Sequence, residues 1–133
     1  MTKNELKKKI IENMVVLPSG MKVVNLTSIN LFFDDGFVVP KGNKELLTEL
    51  LPIAVTVEKK IAGNVTIEVI SYQGAEPFDD EDFMNFIEDE NVYFIGSHIT
   101  CSTYRHPRVI MTKIVYKENG KKLGIANQFT TIK

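Results

Sequence analysis

The sequence has no tryptophan, one cysteine and almost no charge imbalance, with 16 basic against 17 acidic side chains in 133 residues. Each shortage excludes something. A lone Cys101 cannot close an intramolecular disulfide. A net charge of -1 leaves no broad basic face, so duplex nucleic acid, which is held through many phosphate contacts, is not the expected partner. A ligand with two or three phosphates is not excluded, because a few arginines suffice to hold it. The longest apolar runs, such as L-L-P-I-A-V at 50–55, fall far short of the ~20 residues that span a bilayer. The start M-T-K-N-E-L-K-K-K has no apolar stretch behind its charges, so the chain reads as cytoplasmic, without a membrane partner. Also missing are G-x-S-x-G, G-x-x-x-x-G-K and G-x-G-x-x-G, which removes the strongest hydrolase, P-loop and dinucleotide signatures. No cofactor is expected.

What is present is the composition of an ordinary folded chain, 44% hydrophobic and 25% charged. The length predicts a single domain over residues 1–133. Leu6, Ile10 and Met14 recur four apart, with lysines opposite, which predicts an amphipathic helix within residues 1–14. So short a helix is marginal alone and must dock its apolar stripe. Standing ahead of the remaining pattern, it suits assembly with a neighbouring subunit as well as docking on its own core. Residues 21–133 then form a β-rich core that would hold any ligand.

Within that core, M-K-V-V-N-L and I-N-L-F-F predict strands, and Asp35-Gly36 predicts a hairpin turn before F-V-V. Asn43 is placed to cap a helix over 43–51 that Pro52 ends. Strands follow at 54–59 and 65–72, joined by A-G-N; their alternation of Val/Ile with Thr/Glu predicts one wet face. N-V-T at 64–66 matches a glycosylation acceptor but reads more simply as part of that strand. Residues 76–90 carry eight acidic residues and no basic one, with Phe83, Phe86 and Ile87 at helical spacing: a short helix with an acidic outer face. V-Y-F-I-G at 92–96 reads as a buried strand, Ser97 as the cap of a short helix or turn, and V-I-M-T-K-I-V-Y-K, E-N-G and K-K-L-G-I-A-N-Q-F-T-T-I as a closing hairpin. The sum is an α+β fold: an antiparallel sheet of hairpins with the N-terminal amphipathic helix and one or two short helices packed on it.

Candidate chemistry concentrates in T-Y-R-H-P-R-V at 103–109. The planar fork of arginine matches phosphate oxygens, an adjacent aromatic ring can stack a base, and Pro107 restrains the loop. Arg105, Arg108 and Tyr104 are therefore candidate ligand residues, with Phe83 or Phe86 as stacking rings and Asn91 as an adenine-reading amide. The same arginines are equally suited to ion pairs with the acidic segment 76–90. Cys101 with His98 or His106 would make a nucleophilic dyad, and all three together would supply three of the four ligands that zinc requires, but two histidines and one cysteine carry little specificity. No catalytic or metal-binding residue is assigned.

The run V-V-N-L-T-S-I-N-L at 23–31 with V-V-P-K-G at 38–42, and the later V-Y-F-I-G-S-H-I, R-H-P-R-V-I-M and K-E-N-G-K-K-L-G, resemble the phage anti-Thoeris sponge family. The likeness extends in patches over residues 22–125. Where that family has Pro-His after N-L-T, this chain has Ser28-Ile29. The resemblance implies a non-catalytic protein that binds the cyclic ADP-ribose isomer made by a TIR-domain defence protein and sequesters it in the host cytoplasm during infection. It also implies a homo-oligomer built through N-terminal helices, and, in some members, separate sites for cyclic oligonucleotides. On it, Arg108 would grip the pyrophosphate, with Arg105 as a second candidate, Asn91 as the base-reading amide and Phe83 as the stacking ring. An enzyme of the phosphodiesterase kind, with His98 or His106 as acid or base, is the alternative in a different class. A third reading is an interaction protein that uses the acidic face.

Overall fold

A computed structural model describes residues 1–116 and 119–133. Thr2 accepts the Glu5 N–H and starts helix α1, Lys3–Asn13. Then come β1 (Val15–Val16), β2 (Lys22–Asn25), the short pair β3 (Leu31–Phe32) and β4 (Val38–Val39), and α2 (Lys44–Leu50). Asn43 caps α2 as its position predicts, accepting the Glu45 and Leu46 N–H groups. The long strands β5 (Ile53–Ala62) and β6 (Val65–Gln73) lead to a 3-10 turn at Glu76–Asp79 and helix α3 (Glu81–Glu90). The chain closes with β7 (Val92–Ile95), α4 (His98–Tyr104), β8 (Val109–Tyr116) and β9 (Lys122–Thr130). Glu118, which opens the expected E-N-G turn, lies outside the described residues.

The class is α+β, and three pairs, β3–β4, β5–β6 and β8–β9, are the expected antiparallel hairpins. The centre of the main sheet differs. Its order is β1-β2-β7-β8-β9, and both β2–β7 and β7–β8 run parallel, with Val24 opposite Phe94 and Ile95 opposite Ile110. The reason lies in burial on two faces. Val24, Val92 and Phe94 pack with Leu6 and Ile10 of α1, Leu46 and Leu50 of α2, and Phe83 and Ile87 of α3. From the other face Val23 and Ile95 pack with Leu31, Phe33, Val39 and Ile125. Strands covered on both sides need continuous apolar sequence, which V-V-N-L and V-Y-F-I supply, and such strands accept parallel neighbours.

Two expectations about exposure change. The stripe of α1 is buried against its own chain, Leu6 at 4% and Ile10 at 0% exposure, and leaves Ile11 outward. Among the described residues the β5–β6 hairpin pairs with no further strand, and residues on both of its faces, not on one alone, are exposed. Its strand β5 runs on to Ala62, and the turn narrows to Gly63-Asn64.

Candidate functional site

Helix α3 ends in Glu88-Asp89-Glu90, three carboxylates at the end where the helix dipole is itself negative. No basic residue of the helix offsets them. The cations come from the sheet instead. Lys22 of β2 donates through Nζ to the Glu90 carbonyl at 3.3 Å. Arg108, just before β8, places Nη2 3.2 Å from Glu88 Oε2 and donates through Nη1 to Asn91 Oδ1 at 2.9 Å. Its guanidinium also lies over the Tyr93 ring, 4.8 Å from the centroid, an arrangement that adds a cation–π attraction.

The loop that carries Arg108 is fixed by its own backbone chemistry. Arg105 ends α4 in the left-handed region, φ 46°, and its N–H returns to the Cys101 carbonyl. The Arg108 N–H donates to His106 Nδ1 at 3.1 Å, so this ring nitrogen must carry a lone pair. The His106 carbonyl accepts from the Val109 N–H and from Thr131 Oγ1. The Arg108 carbonyl accepts the Phe94 N–H at 2.7 Å, which ties the loop to β7.

Among the five candidate residues, Asn91 and Arg108 are brought together. Asn91 sits at the end of α3 in the left-handed region, φ 55°, with its amide oxygen taken by Arg108. Arg105 is exposed and turns the other way, donating through Nε to the Ser102 carbonyl, so the two arginines share no partner. Tyr104 points inward: its ring stacks on Phe78 at 4.0 Å, and its hydroxyl donates to the Leu50 carbonyl and accepts the Ala75 N–H. Burial pushes its phenol pKa up. Phe83 is a core residue at 2% exposure, edge-on to Phe78, and offers no free ring face. Phe86 is half-buried, with Lys7 Nζ 5.6 Å from its ring centre. The ring beside the arginine is instead Tyr93, which the sequence reading passed over. Its signal was there: in V-Y-F-I it is the position that alternates away from Val92 and Phe94.

The other constellation separates. Cys101 is buried at 1% exposure and burial pushes its thiol up to about 11, the reverse of what activates a nucleophile. His98 Nδ1 is paired with Ser102 Oγ on the exposed side of α4. Among the described residues no three His, Cys, Asp or Glu side chains converge to hold a metal ion.

N-L-T at 25–27 forms a closed polar knot. Asn25, 4% exposed, donates to the Ile29 and Pro40 carbonyls and accepts from both the N–H and hydroxyl of Thr27. Gly42 lies so close that an added Cβ would collide with the Asn25 and Thr27 carbonyl oxygens. Ser28 and Ile29 are exposed, and Ile29 joins the knot only through its backbone carbonyl. A cavity of about 350 Å³ lies apart from Arg108 and Asn91, lined by Lys3, Leu6, Glu49, Ile53, Asp80 and, of the candidate residues, Phe83. It is rimmed by ion pairs of Lys3 with Asp80 and of the terminal amine with Glu49. No helix among the described residues is long and apolar enough to cross a membrane. Compared with family models, curated proteins and solved structures, the chain matches none.

Proposed function

We propose that the protein is a cytoplasmic, non-catalytic binder of a phosphate-bearing cyclic nucleotide, of the cyclic ADP-ribose kind, which it sequesters as a homo-oligomer. The observation that carries this reading is the convergence of Asn91 from the end of α3 and Tyr93 from β7 on the Arg108 guanidinium: an amide and an aromatic ring around a phosphate-matching fork. Glu88, whose side chain is 53% exposed, is the anion that a phosphate would replace. Ligand binding is thus an exchange of an exposed carboxylate for a phosphate on an arginine already held by Asn91 and Tyr93.

Calorimetric titration of cyclic ADP-ribose into three proteins tests the proposal. Wild type binds, Arg108→Ala does not although its assembly is unchanged, and Glu88→Gln binds about 2- to 5-fold tighter because the competing carboxylate is gone. Nucleotide recovered intact after heat denaturation sets a sponge apart from an enzyme; new products would establish the latter. Absence of heat with cyclic ADP-ribose and with cyclic oligonucleotides would overturn the proposal.

The Glu88 contact itself favours a second reading. Arg108 and Lys22 neutralise the acidic end of α3 and fasten it to the sheet, a structural duty that needs no ligand. On this reading Arg108→Ala lowers stability and no nucleotide raises Tm.

A further inference from the structure

The β5–β6 hairpin is a ribbon of nine paired positions whose two outer edges bond to no other strand among the described residues. An isolated two-stranded ribbon is at best marginal in water, and this one is unusually apolar. Ile53, Val57, Ile61, Val65, Ile67 and Ile70 are between 48 and 81% exposed, and Tyr72 is 41% exposed. Over both faces together these side chains present on the order of 700 Å² to solvent, so each face carries roughly 300–400 Å², the size of the largest, often functional, patch on a typical monomer.

The pairing register sorts these residues. Glu58 faces Val69, Lys60 faces Ile67 and Ala62 faces Val65, so Val65, Ile67, Val69, Glu58 and Lys60 share one side with Ile53 and Val55. Ile70 and Tyr72 lie on the other, with Lys59 and Glu68, which pair at 3.9 Å within the ribbon. The first side therefore has an aliphatic stripe and one unpaired charge of each sign, two residues apart, since neither Glu58 nor Lys60 has an ion-pair partner among the described residues. A two-fold axis turns such a face into its own complement: Glu58 meets the partner's Lys60, and Lys60 meets the partner's Glu58. A nucleic acid or a strongly charged protein would find no net charge here to recognise.

We infer that the β5–β6 hairpin is a self-association arm whose Ile53–Val55–Val65–Ile67–Val69 side packs on the same side of a second copy. The inference stands on the register and exposure of the arm and does not depend on the nucleotide reading. The helix stripe of α1 is already buried within its own chain, whereas here Ile53, Val65 and Ile67 are exposed and Val55 and Val69 only half-buried.

Sedimentation equilibrium of the full chain tests it. Wild type should be a dimer, or a larger assembly containing it, at about 100 µM. Ile67→Lys should weaken association at least about 10-fold, whereas Ile70→Lys, on the opposite side, should leave it unchanged. Glu58→Lys should dissociate the assembly, and the swap Glu58→Lys with Lys60→Glu should restore it. These positions are exposed in a single chain, so circular dichroism should be the same for all variants. A monomeric wild type, an unaffected Ile67→Lys protein, or a charge swap that fails to restore the mass of the Glu58→Lys protein would each overturn the inference.

Discussion

Asn91 and Arg108 are joined by a 2.9 Å hydrogen bond from a guanidinium to an amide oxygen, and the amide belongs to a residue whose backbone is left-handed. The two roles of Asn91, ending α3 and holding Arg108, separate by substitution. Glycine accepts φ 55° without a Cβ penalty, whereas alanine does not.

Asn91→Gly should therefore be more stable than Asn91→Ala by about 1 kcal/mol in urea unfolding, although both lose the bond to Arg108. Equal destabilisation would mean that the side-chain bond, and not the helix end, is what the position requires. In nucleotide titrations both variants should bind more weakly than wild type, since Arg108 loses its positioning partner in each.

Tyr104→Phe keeps the stack on Phe78 but strands two backbone groups, the Leu50 carbonyl and the Ala75 N–H. The expected cost is about 1–3 kcal/mol, read as a fall in Tm of roughly 4–10 °C. Tyr104 is thus a clasp between the end of α2, the start of the 3-10 turn and α4. An unchanged Tm would show that water replaces the hydroxyl at no cost.

Cys101 makes stability fall on the alkaline side. Its thiol ionises near 8.5 in an unfolded chain and at about 11 when folded, so unfolding releases a proton between those values. Its contribution is complete below pH ~8.5 and drains away as pH rises toward 11, at up to about 1.4 kcal/mol per pH unit. Urea midpoints measured from pH 8 to 10 should drop more steeply for wild type than for Cys101→Ala. At pH 7.5, thiol reagents should modify native Cys101 far more slowly than the unfolded protein; rapid native labelling would contradict the burial.

Local chemistry was legible in the sequence where one or two residues decide the outcome. Asn43 and Ser97 cap the helices their positions announce, and Asp35 accepts the Phe37 N–H in the turn predicted from Asp35-Gly36. Less visible was whatever depends on distant partners. V-V-N-L marks a buried strand but cannot say that its neighbour is V-Y-F-I, about 70 residues on, nor that the two run parallel. Alternation in 54–59 and 65–72 looks like a half-covered sheet, yet among the described residues no other strand extends it, and most of its positions on both faces are exposed. At the site, Asn91 and Arg108 were legible by residue type, and the possible ion pair with the acidic segment is realised at Glu88. The surroundings of Phe83 were not, because a phenylalanine at helical spacing gives no sign of which groups its ring will meet; it packs edge-on to Phe78 and borders the cavity beside Lys3 and Asp80, away from Arg108.

The parallel partnership of β2 with β7 also bears on how the protein is made. A ribosome adds about 5–20 residues per second, so β2 emerges several seconds before the strand that buries it. Val23, Val24 and Leu26, almost wholly enclosed in the finished protein, have no lasting shelter during that interval. By contrast β7, α4 and β8 follow one another within some 25 residues and can assemble as they appear. Nascent chains arrested between α2 and α3 would therefore be the ones most in need of a chaperone.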